Sequence, residues 1–199
     1  KVAAILAPSF PVEFDDCDYE RVVGMLRALG FDYVTEVAFG ADLVADRYRK
    51  LIESRQDERY VATTCPSIVA FVQRYQPDLV DALAPIVSPM VAMARVLHQR
   101  HDSGLKIVFV GPCIAKKGEA ASSELPDEVH SALTFAELRD MLEKRKITPE
   151  SVEPGEFDPP HARFGALFPV SRGLLQAANI SEDLMSGNVA VADGRVDFP

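Results

Sequence analysis

Two cysteines stand where an α/β protein most readily supports thiolate chemistry. Cys65 follows a predicted strand and precedes a predicted helix, and Cys113 has the same placement further along the chain. Ligands of parallel sheets collect outside the carboxyl ends of the strands, so the two thiols are predicted to face one cleft. Free amides at a helix start favour a thiolate, and thiolates there suit a soft metal or an iron–sulfur cluster.

The alternative interpretation is structural. A free cysteine is usually a small buried residue, here at a tight turn. Lys116 and Lys117 beside Cys113 leave a similar choice. They are either two lysines in solvent or two cations that balance the negative charge of a cluster or of its anionic ligands. Spacing alone leaves both interpretations open.

Other reactive side chains give weaker signals. Cys17 lies in an acidic stretch that disfavours a thiolate, so it is interpreted as structural. His98 and His101 have a metal-ligand spacing, but their place at a helix end favours surface histidines. Residues 171–173 are either an anion-binding helix start or a cap. The sequence has no glycine-rich phosphate loop, zinc signature or serine-hydrolase elbow.

Short apolar runs alternate with amphipathic patterns along the chain. Strands are predicted at 2–6, 33–38, 60–63, 106–110 and 129–133, and helices at 18–29, 41–54, 67–75, 88–101 and 134–146. Repeated strand–helix–strand units predict an α/β fold of mostly parallel sheet flanked by helices. Prolines predict a division into two lobes near 77–88, and the proline- and acid-rich stretch 148–160 is predicted to be an exposed loop.

Composition restricts the function classes. With 199 residues, 48% of them hydrophobic, the chain is predicted to fold rather than to be disordered. The net charge of −9 argues against nucleic acid as a partner, and no apolar run is long enough for a bilayer. Three scattered cysteines do not form a disulfide framework, which favours a reducing, cytoplasmic setting. The chain starts inside a strand-like run without Met, as a piece of a longer chain would.

Four segments resemble motifs of the iron-only hydrogenase catalytic domain. Residues 62–66, Ala-Thr-Thr-Cys-Pro, are similar to the family's Thr-Ser-Cys-Cys-Pro, and residues 88–91, Ser-Pro-Met-Val, are similar to Ser-Pro-Gln-Gln. Residues 111–117, Gly-Pro-Cys-Ile-Ala-Lys-Lys, closely resemble Met-Pro-Cys-x-x-Lys-Lys. Residues 165–168, Gly-Ala-Leu-Phe, resemble Gly-x-x-Phe. Segments 7–9, 26–32 and 40–43 also look like the start of that domain, so the likeness covers essentially the whole chain in order.

The resemblance implies a two-lobed α/β fold whose cleft holds a cysteine-ligated four-iron (4Fe-4S) cluster. In the full-length protein this cluster would be joined to a two-iron site with CO and cyanide ligands. The implied roles are two of the four thiolates for Cys65 and Cys113, a hydrogen bond to cyanide for Lys116, packing against the two-iron site for Phe168, and cofactor contacts for Ser88 and Met90. The family's other two ligands belong to a Cys-x-x-x-Cys segment that is missing here. Residues 1–199 are therefore expected to be a truncated domain with no intact cluster.

Three departures from the family pattern bear on activity. Thr64 stands in the place of the cysteine that passes protons to the two-iron site, Met90 replaces a glutamine, and Gly111 replaces a methionine. A thiol with a pKa of about 8.5 exchanges protons at neutral pH, whereas an aliphatic hydroxyl is a far poorer donor. These changes resemble those of divergent, sensory members of the family, which are joined to signalling modules.

The favoured hypothesis is a hydrogenase-like iron–sulfur domain with a redox or hydrogen sensory role, or an electron-transfer role, and little hydrogen turnover. Its partner would be a redox protein, or an attached ferredoxin or PAS-type module. A second hypothesis is an active hydrogenase that moves protons through Thr64 or water. A third is an apo α/β interaction domain whose cysteines are relics.

Overall fold

A four-stranded parallel sheet forms the centre of the fold. The computed structural model describes residues 1–54, 58–101, 104–123, 125–181 and 189–192. The strands are β1 (Val2–Leu6), β2 (Tyr33–Glu36), β3 (Lys106–Gly111) and β4 (Ser131–Thr134), in the order β2-β1-β3-β4. The interior of β1 is fully buried, as expected of a central strand with helices on both faces. The α/β class with a flanked parallel sheet is confirmed.

Eight α-helices lie in the described part of the chain. They are α1 (Phe10–Glu13), α2 (Tyr19–Ala28), α3 (Val37–Ser54), α4 (Pro66–Tyr75), α5 (Pro89–Arg100), α6 (Ala115–Ala120), α7 (Phe135–Arg145) and α8 (Gly173–Ala178). Short 3-10 helices occupy Pro77–Ala82, Pro149–Ser151 and Phe164–Leu167. None of the helices in these described ranges has the length and apolar character needed to cross a membrane.

Local sequence signals account for several helix starts. The Ser88 hydroxyl accepts a hydrogen bond from the amide of Val91, and Pro89 occupies the first turn of α5. Thr134 and Glu137 form a reciprocal capping box at the start of α7. Both starts lie where the sequence places them.

The boundaries differ from the sequence prediction around β2 and α3. The predicted strand 33–38 ends at Glu36, because α3 begins at Val37, four residues before the predicted helix. Gly40 lets α3 cross α5 closely, since a Cβ there would clash with the carbonyl oxygen of Pro89. This crossing fixes α3 beside the start of α5.

The segment predicted as a strand at 60–63 forms only a single parallel bridge, between Val61 and Leu83. A second, smaller apolar cluster of Val44, Tyr48, Ala84 and Ala92 lies beside it. The sequence predicts a division into two lobes near 77–88, next to this cluster. The division near 77–88 itself stays a prediction.

Much of the segment 148–160 is exposed, as predicted, but it is fixed to the rest of the fold and Phe157 is an exception. Arg21 donates hydrogen bonds to the carbonyl oxygens of Pro149 and Val152, and Phe157 is buried in the main core. Asp158 accepts a hydrogen bond from the amide of Val34 on the edge strand β2. Backbone and aromatic contacts that composition does not reveal hold this segment across α2 and the sheet edge.

Candidate functional site

The carboxyl ends of β1 and β3 lie side by side. Leu6 pairs with Val110 in parallel register, and the amide of Ala7 continues the pairing by donating to the Val110 carbonyl at 2.8 Å. Cys113 follows β3 by two residues and therefore lies just beyond this edge of the sheet. Gly111 fits here because a Cβ would come within 2.7 Å of the Ala7 Cβ and would also clash with the Phe109 ring. The space near this position is already filled by Ala7 and Phe109.

Cys65 is the N-cap residue of α4. Its backbone is extended, and its carbonyl oxygen accepts hydrogen bonds from the amides of Ile68 at 3.1 Å and Val69 at 3.2 Å. Pro66 occupies the first helical position, where its missing N–H costs nothing. The thiol is free and half-buried. Because these hydrogen bonds and Pro66 lie within a few residues of Cys65, local interactions fix the backbone of Cys65 at the start of α4.

The helices that follow the two cysteines are in contact with each other, α4 against α6. Cys113 is likewise a free, half-buried thiol. The structure thus places the two cysteines next to neighbouring helices. Their shared role as metal ligands stays a prediction.

Lys116 is a nearly buried lysine. It is 8% exposed, and its ammonium donates to the Glu119 carboxylate at 2.6 Å, three residues further along α6. Its amide also donates to the carbonyl oxygen of Cys113 at 3.2 Å. Of the two interpretations from the sequence, the solvent position does not apply to Lys116. Glu119 is not among the residues predicted from the sequence, although its i,i+3 spacing from Lys116 on a helix is a usable signal.

Lys117 has a different partner. Its ammonium pairs with the carboxylate of Glu137 in the capping box of α7. This ion pair and the amide of Thr134 together lower the pKa of Glu137 to about 2. Lys117 therefore joins α6 to the start of α7 rather than facing the cysteines as a free cation.

The remaining predicted site residues lie on other elements of the fold. Thr64 is half-buried in the bend before Cys65. Ser88 is buried as the cap of α5, and Met90 is fully buried in the main core. Phe168 packs against the second apolar cluster, beside α3. The contacts of these residues with a cofactor stay predictions.

The segment that carries Phe168 is docked on α3 through one carboxylate. Asp42 accepts hydrogen bonds from the amides of Arg163 at 2.7 Å and Gly165 at 2.6 Å. Gly165 permits this approach, because a Cβ there would clash with the carbonyl oxygen of Ala38. In the sequence, Asp42 stands out only as part of the resembling segment 40–43. Its docking role cannot be read from the sequence, since its partners lie far along the chain.

The other reactive residues are occupied elsewhere. His98 makes a 3.1 Å hydrogen bond between Nε2 and the Glu128 carbonyl oxygen, and the ring of His101 lies 4.5 Å from that of Tyr33. Cys17 lies in a groove of about 290 Å³ with Arg21 and residues of the 148–160 segment. Burial, followed by the charge of Asp16, raises the pKa of its thiol. The interpretation of Cys17 as unreactive agrees with this direction.

The donor set does not by itself fit a whole four-iron cluster. Such a cluster takes four thiolates, and of the three cysteines only Cys65 and Cys113 lie at the neighbouring helices α4 and α6. In the ranges that the structure describes, no group of three or more His, Cys, Asp or Glu side chains is arranged to hold a metal ion. The described residues therefore offer two free thiols beside the contacting helices α4 and α6, and the Lys116 amide donates to the Cys113 carbonyl oxygen.

Comparison with known proteins gives one family. The family model described as iron only hydrogenase large subunit, C-terminal domain, matches residues 1–194. Iron hydrogenase 1 of Clostridium pasteurianum is 29% identical over 191 residues, covering 87% of this chain and 33% of the relative. The cytosolic Fe-S cluster assembly factor NAR1 of Yarrowia lipolytica is 26% identical over 132 residues, covering 63% of this chain and 27% of the relative.

A solved structure shows the same fold. A variant of the FeFe-hydrogenase HydA1 from Chlamydomonas reinhardtii aligns with a TM-score of 0.73 and 22% sequence identity. The alignment covers 88% of this chain and 52% of that one. The chain thus spans about a third of the first curated relative and about half of this solved chain.

Proposed function

This chain belongs to the iron-only hydrogenase large subunit, C-terminal domain family, and we propose that it serves redox or hydrogen sensing, or electron transfer, with little hydrogen turnover. The hydrogenase-like iron–sulfur character is what the family and its relatives support. We also propose a cytoplasmic location, which the relatives named as cytosolic assembly factors support.

One observation carries the proposal of low turnover. The residue directly before Cys65 is Thr64, half-buried in the bend that precedes α4. Rapid proton exchange in a cleft needs a group with a pKa near the working pH. The aliphatic hydroxyl of threonine does not ionise near neutral pH, so it is a poor substitute for a thiol in that task.

The environment of Lys116 points in the same direction. Its ammonium is already paired with the Glu119 carboxylate at 2.6 Å, and both side chains are nearly buried. A cation shared with a carboxylate attracts a further anionic ligand less strongly than a free one does. Lys116 is therefore a weaker partner for an anionic ligand of a two-iron site than an unpaired lysine would be, which supports low hydrogen turnover.

The chain supplies Cys65 and Cys113 as two thiolates, and a complete cluster would take two more from outside these 199 residues. When bound, such a cluster supplies one-electron redox chemistry. The protein's contribution from these residues is to fix two ligands at helix starts and to place the buried Lys116–Glu119 pair next to one of them. A redox partner, or an attached ferredoxin or PAS-type module, would exchange the electron or the signal.

A substitution in the complete gene product tests the proposal. The protein is prepared without oxygen from a host that matures hydrogenases, and hydrogen evolution is measured for the native sequence and for Thr64→Cys. We expect a low native rate that rises about a hundredfold in Thr64→Cys, the lower end of the range for a positioned proton donor. Ser67→Cys, at an exposed position of α4, is the matched control and is expected to leave the rate unchanged. A native rate that is already high and unchanged by Thr64→Cys would favour an active hydrogenase instead.

The relatives give a second candidate. Several are named as cytosolic Fe-S cluster assembly factors, including that of Yarrowia lipolytica. A role in the assembly of clusters for other proteins would also need thiolates without hydrogen turnover. Transfer of a cluster from the loaded gene product to an apo iron–sulfur protein, monitored by visible absorption, distinguishes this candidate from a resident redox site.

A further inference from the structure

A buried tyrosine contacts the segment that leads into Cys65. Tyr48 lies on the inner face of α3 and is 6% exposed. Its hydroxyl oxygen accepts a hydrogen bond from the backbone amide of Thr63 at 2.7 Å. The same oxygen lies 3.1 Å from the Thr63 hydroxyl. Two hydrogen bonds therefore join one side chain of α3 to one residue of the cysteine loop.

The direction of the second hydrogen bond follows from the other partners of Thr63. Its hydroxyl lies 2.6 Å from the carbonyl oxygen of Ile86 and 3.1 Å from that of Ala84. A carbonyl only accepts, so the single hydroxyl proton of Thr63 is donated there. The Tyr48 hydroxyl must then donate to Thr63. The result is a hydrogen-bond circuit in which the Thr63 amide donates to Tyr48, Tyr48 donates to the Thr63 hydroxyl, and Thr63 donates to the carbonyl oxygens of the 84–86 backbone, where the circuit ends.

This circuit lies where three predicted site segments meet. Thr63 is two residues before Cys65, and the 84–86 backbone leads to Ser88, the cap of α5. Phe168 packs on the apolar cluster that contains the Tyr48 ring. One phenol on α3 thus touches the segment before Cys65 directly and the segments of Ser88 and Phe168 through its neighbours.

We propose that Tyr48 and Thr63 are positioning residues for the Cys65 loop, holding the backbone before the thiol at a fixed place against α3. Only the ligand role of Cys65 rests on the proposed function. The positioning itself rests on the four hydrogen-bond contacts of the circuit. Burial raises the pKa of Tyr48, which keeps the phenol protonated at neutral pH and preserves the hydrogen bond that it donates. Because the circuit ends at backbone carbonyl oxygens, which have no proton to donate, it fixes geometry and does not pass protons onward.

Thiol labelling of the 199-residue chain tests this without any iron. Iodoacetamide is added to the native chain, and the labelling rates of Cys17, Cys65 and Cys113 are followed separately by peptide mass spectrometry. Tyr48→Phe and Thr63→Val each remove hydrogen bonds of the circuit while keeping the side-chain shape. We expect the rate at Cys65 to rise about fivefold in both, which is the effect of one net hydrogen bond on a local opening equilibrium. Cys113 and Cys17 are expected to keep their rates.

Two further variants make the result specific. Thr63→Ser keeps the hydroxyl and is expected to keep the native rate at Cys65. Tyr75→Phe removes the hydroxyl of an exposed tyrosine on α4 and serves as the control for losing a phenol.

An unchanged rate at Cys65 in both Tyr48→Phe and Thr63→Val would overturn the proposal, as would an equal rise at all three cysteines. If Tyr48→Phe does not fold, the contrast between Thr63→Val and Thr63→Ser decides. Because labelling involves no iron, its result does not depend on whether the proposed iron–sulfur function holds. The two proposals can therefore fail separately.

Discussion

The ammonium nitrogen of Lys116 lies 2.6 Å from a carboxylate oxygen of Glu119, and both side chains are nearly buried on the short helix that follows Cys113. A charged pair in such a place is stable only while both partners are present, because a single buried charge loses its hydration without compensation. The ammonium group of Lys116, three residues after Cys113, is therefore held in place by the Glu119 carboxylate.

Glu119→Gln tests that dependence. The amide keeps the size of the carboxylate but removes its charge, so we expect the free energy of unfolding to fall by about 1–3 kcal/mol. Urea denaturation followed by circular dichroism measures the change. Glu53→Gln is the matched control, because its partner Arg49 lies 3.5 Å away on an exposed face and such pairs contribute at most about 1 kcal/mol. Equal losses in the two variants would mean that burial adds nothing to the Lys116–Glu119 pair.

The Glu137 carboxylate makes the free energy of unfolding depend on pH. Its folded-state pKa of about 2 lies below the ordinary value of 4.5, chiefly because Lys117 donates to it. A depressed pKa gives stability that is fully present above the ordinary pKa and is lost as the pH falls toward the folded-state value. Between about pH 5 and about pH 2 we expect the native chain to lose unfolding free energy, and Glu137→Gln to lose less of it. If the free energy of unfolding falls equally with pH in the native chain and in Glu137→Gln, Glu137 is not the source of the acid dependence.

Gly165→Ala tests the docking of the segment that carries Phe168. The new Cβ would clash with the Ala38 carbonyl oxygen, so the hydrogen bonds from the 163–165 backbone to Asp42 must lengthen. We expect a loss of about 1–3 kcal/mol in unfolding free energy. Gly118→Ala in α6 is the control, since nothing lies within 4 Å of a Cβ there and alanine favours a helix. If both substitutions leave stability unchanged or raised, the close approach of Gly165 to α3 is not required.

The acidic surroundings of Cys17 are expected to slow its alkylation. Its pKa is raised by burial and by Asp16 and Asp18, so less thiolate is present in mildly alkaline buffer than for an ordinary cysteine. Asp16→Asn removes one of the charges and is expected to speed labelling at Cys17 by about twofold, while Cys65 keeps its rate. The comparison is made by mass spectrometry of the native chain and the variant. A Cys17 rate that is the same with and without Asp16 would contradict the electrostatic contribution.

Features with local signals could be predicted from the sequence, and features built from distant partners could not. The Thr134–Glu137 capping box and the position of Cys113 after β3 follow from neighbouring residues. By contrast, the 60–63 run has the apolar character of a strand, yet it forms a single parallel bridge, between Val61 and Leu83, and no strand. A strand forms only if a neighbouring strand is present, and the pattern of one segment does not report its neighbours.

In the candidate site, too, some features could be predicted from the sequence and others could not. The motifs around Cys65 and Cys113 identify the segments, and the spacing on α6 is enough to suggest the Lys116–Glu119 pair. The contacts of Tyr48 with Thr63 and of Asp42 with Gly165 join residues from different elements. Tyrosine and aspartate on an amphipathic helix are ordinary residues, so no sequence signal marks them as partners of those loops.

Iron content of the complete gene product tests the central claim most directly. The protein is purified without oxygen as the native sequence and as Cys65→Ser, Cys113→Ser and Cys17→Ser, and iron and acid-labile sulfide are measured per chain. We expect Cys65→Ser and Cys113→Ser each to lose about four irons relative to the native protein, the content of one 4Fe-4S cluster. Cys17→Ser is expected to lose none. Iron content that is unaffected by replacing Cys65 and Cys113 would contradict their role as cluster ligands, and with it the proposal that this chain is part of an iron–sulfur redox domain.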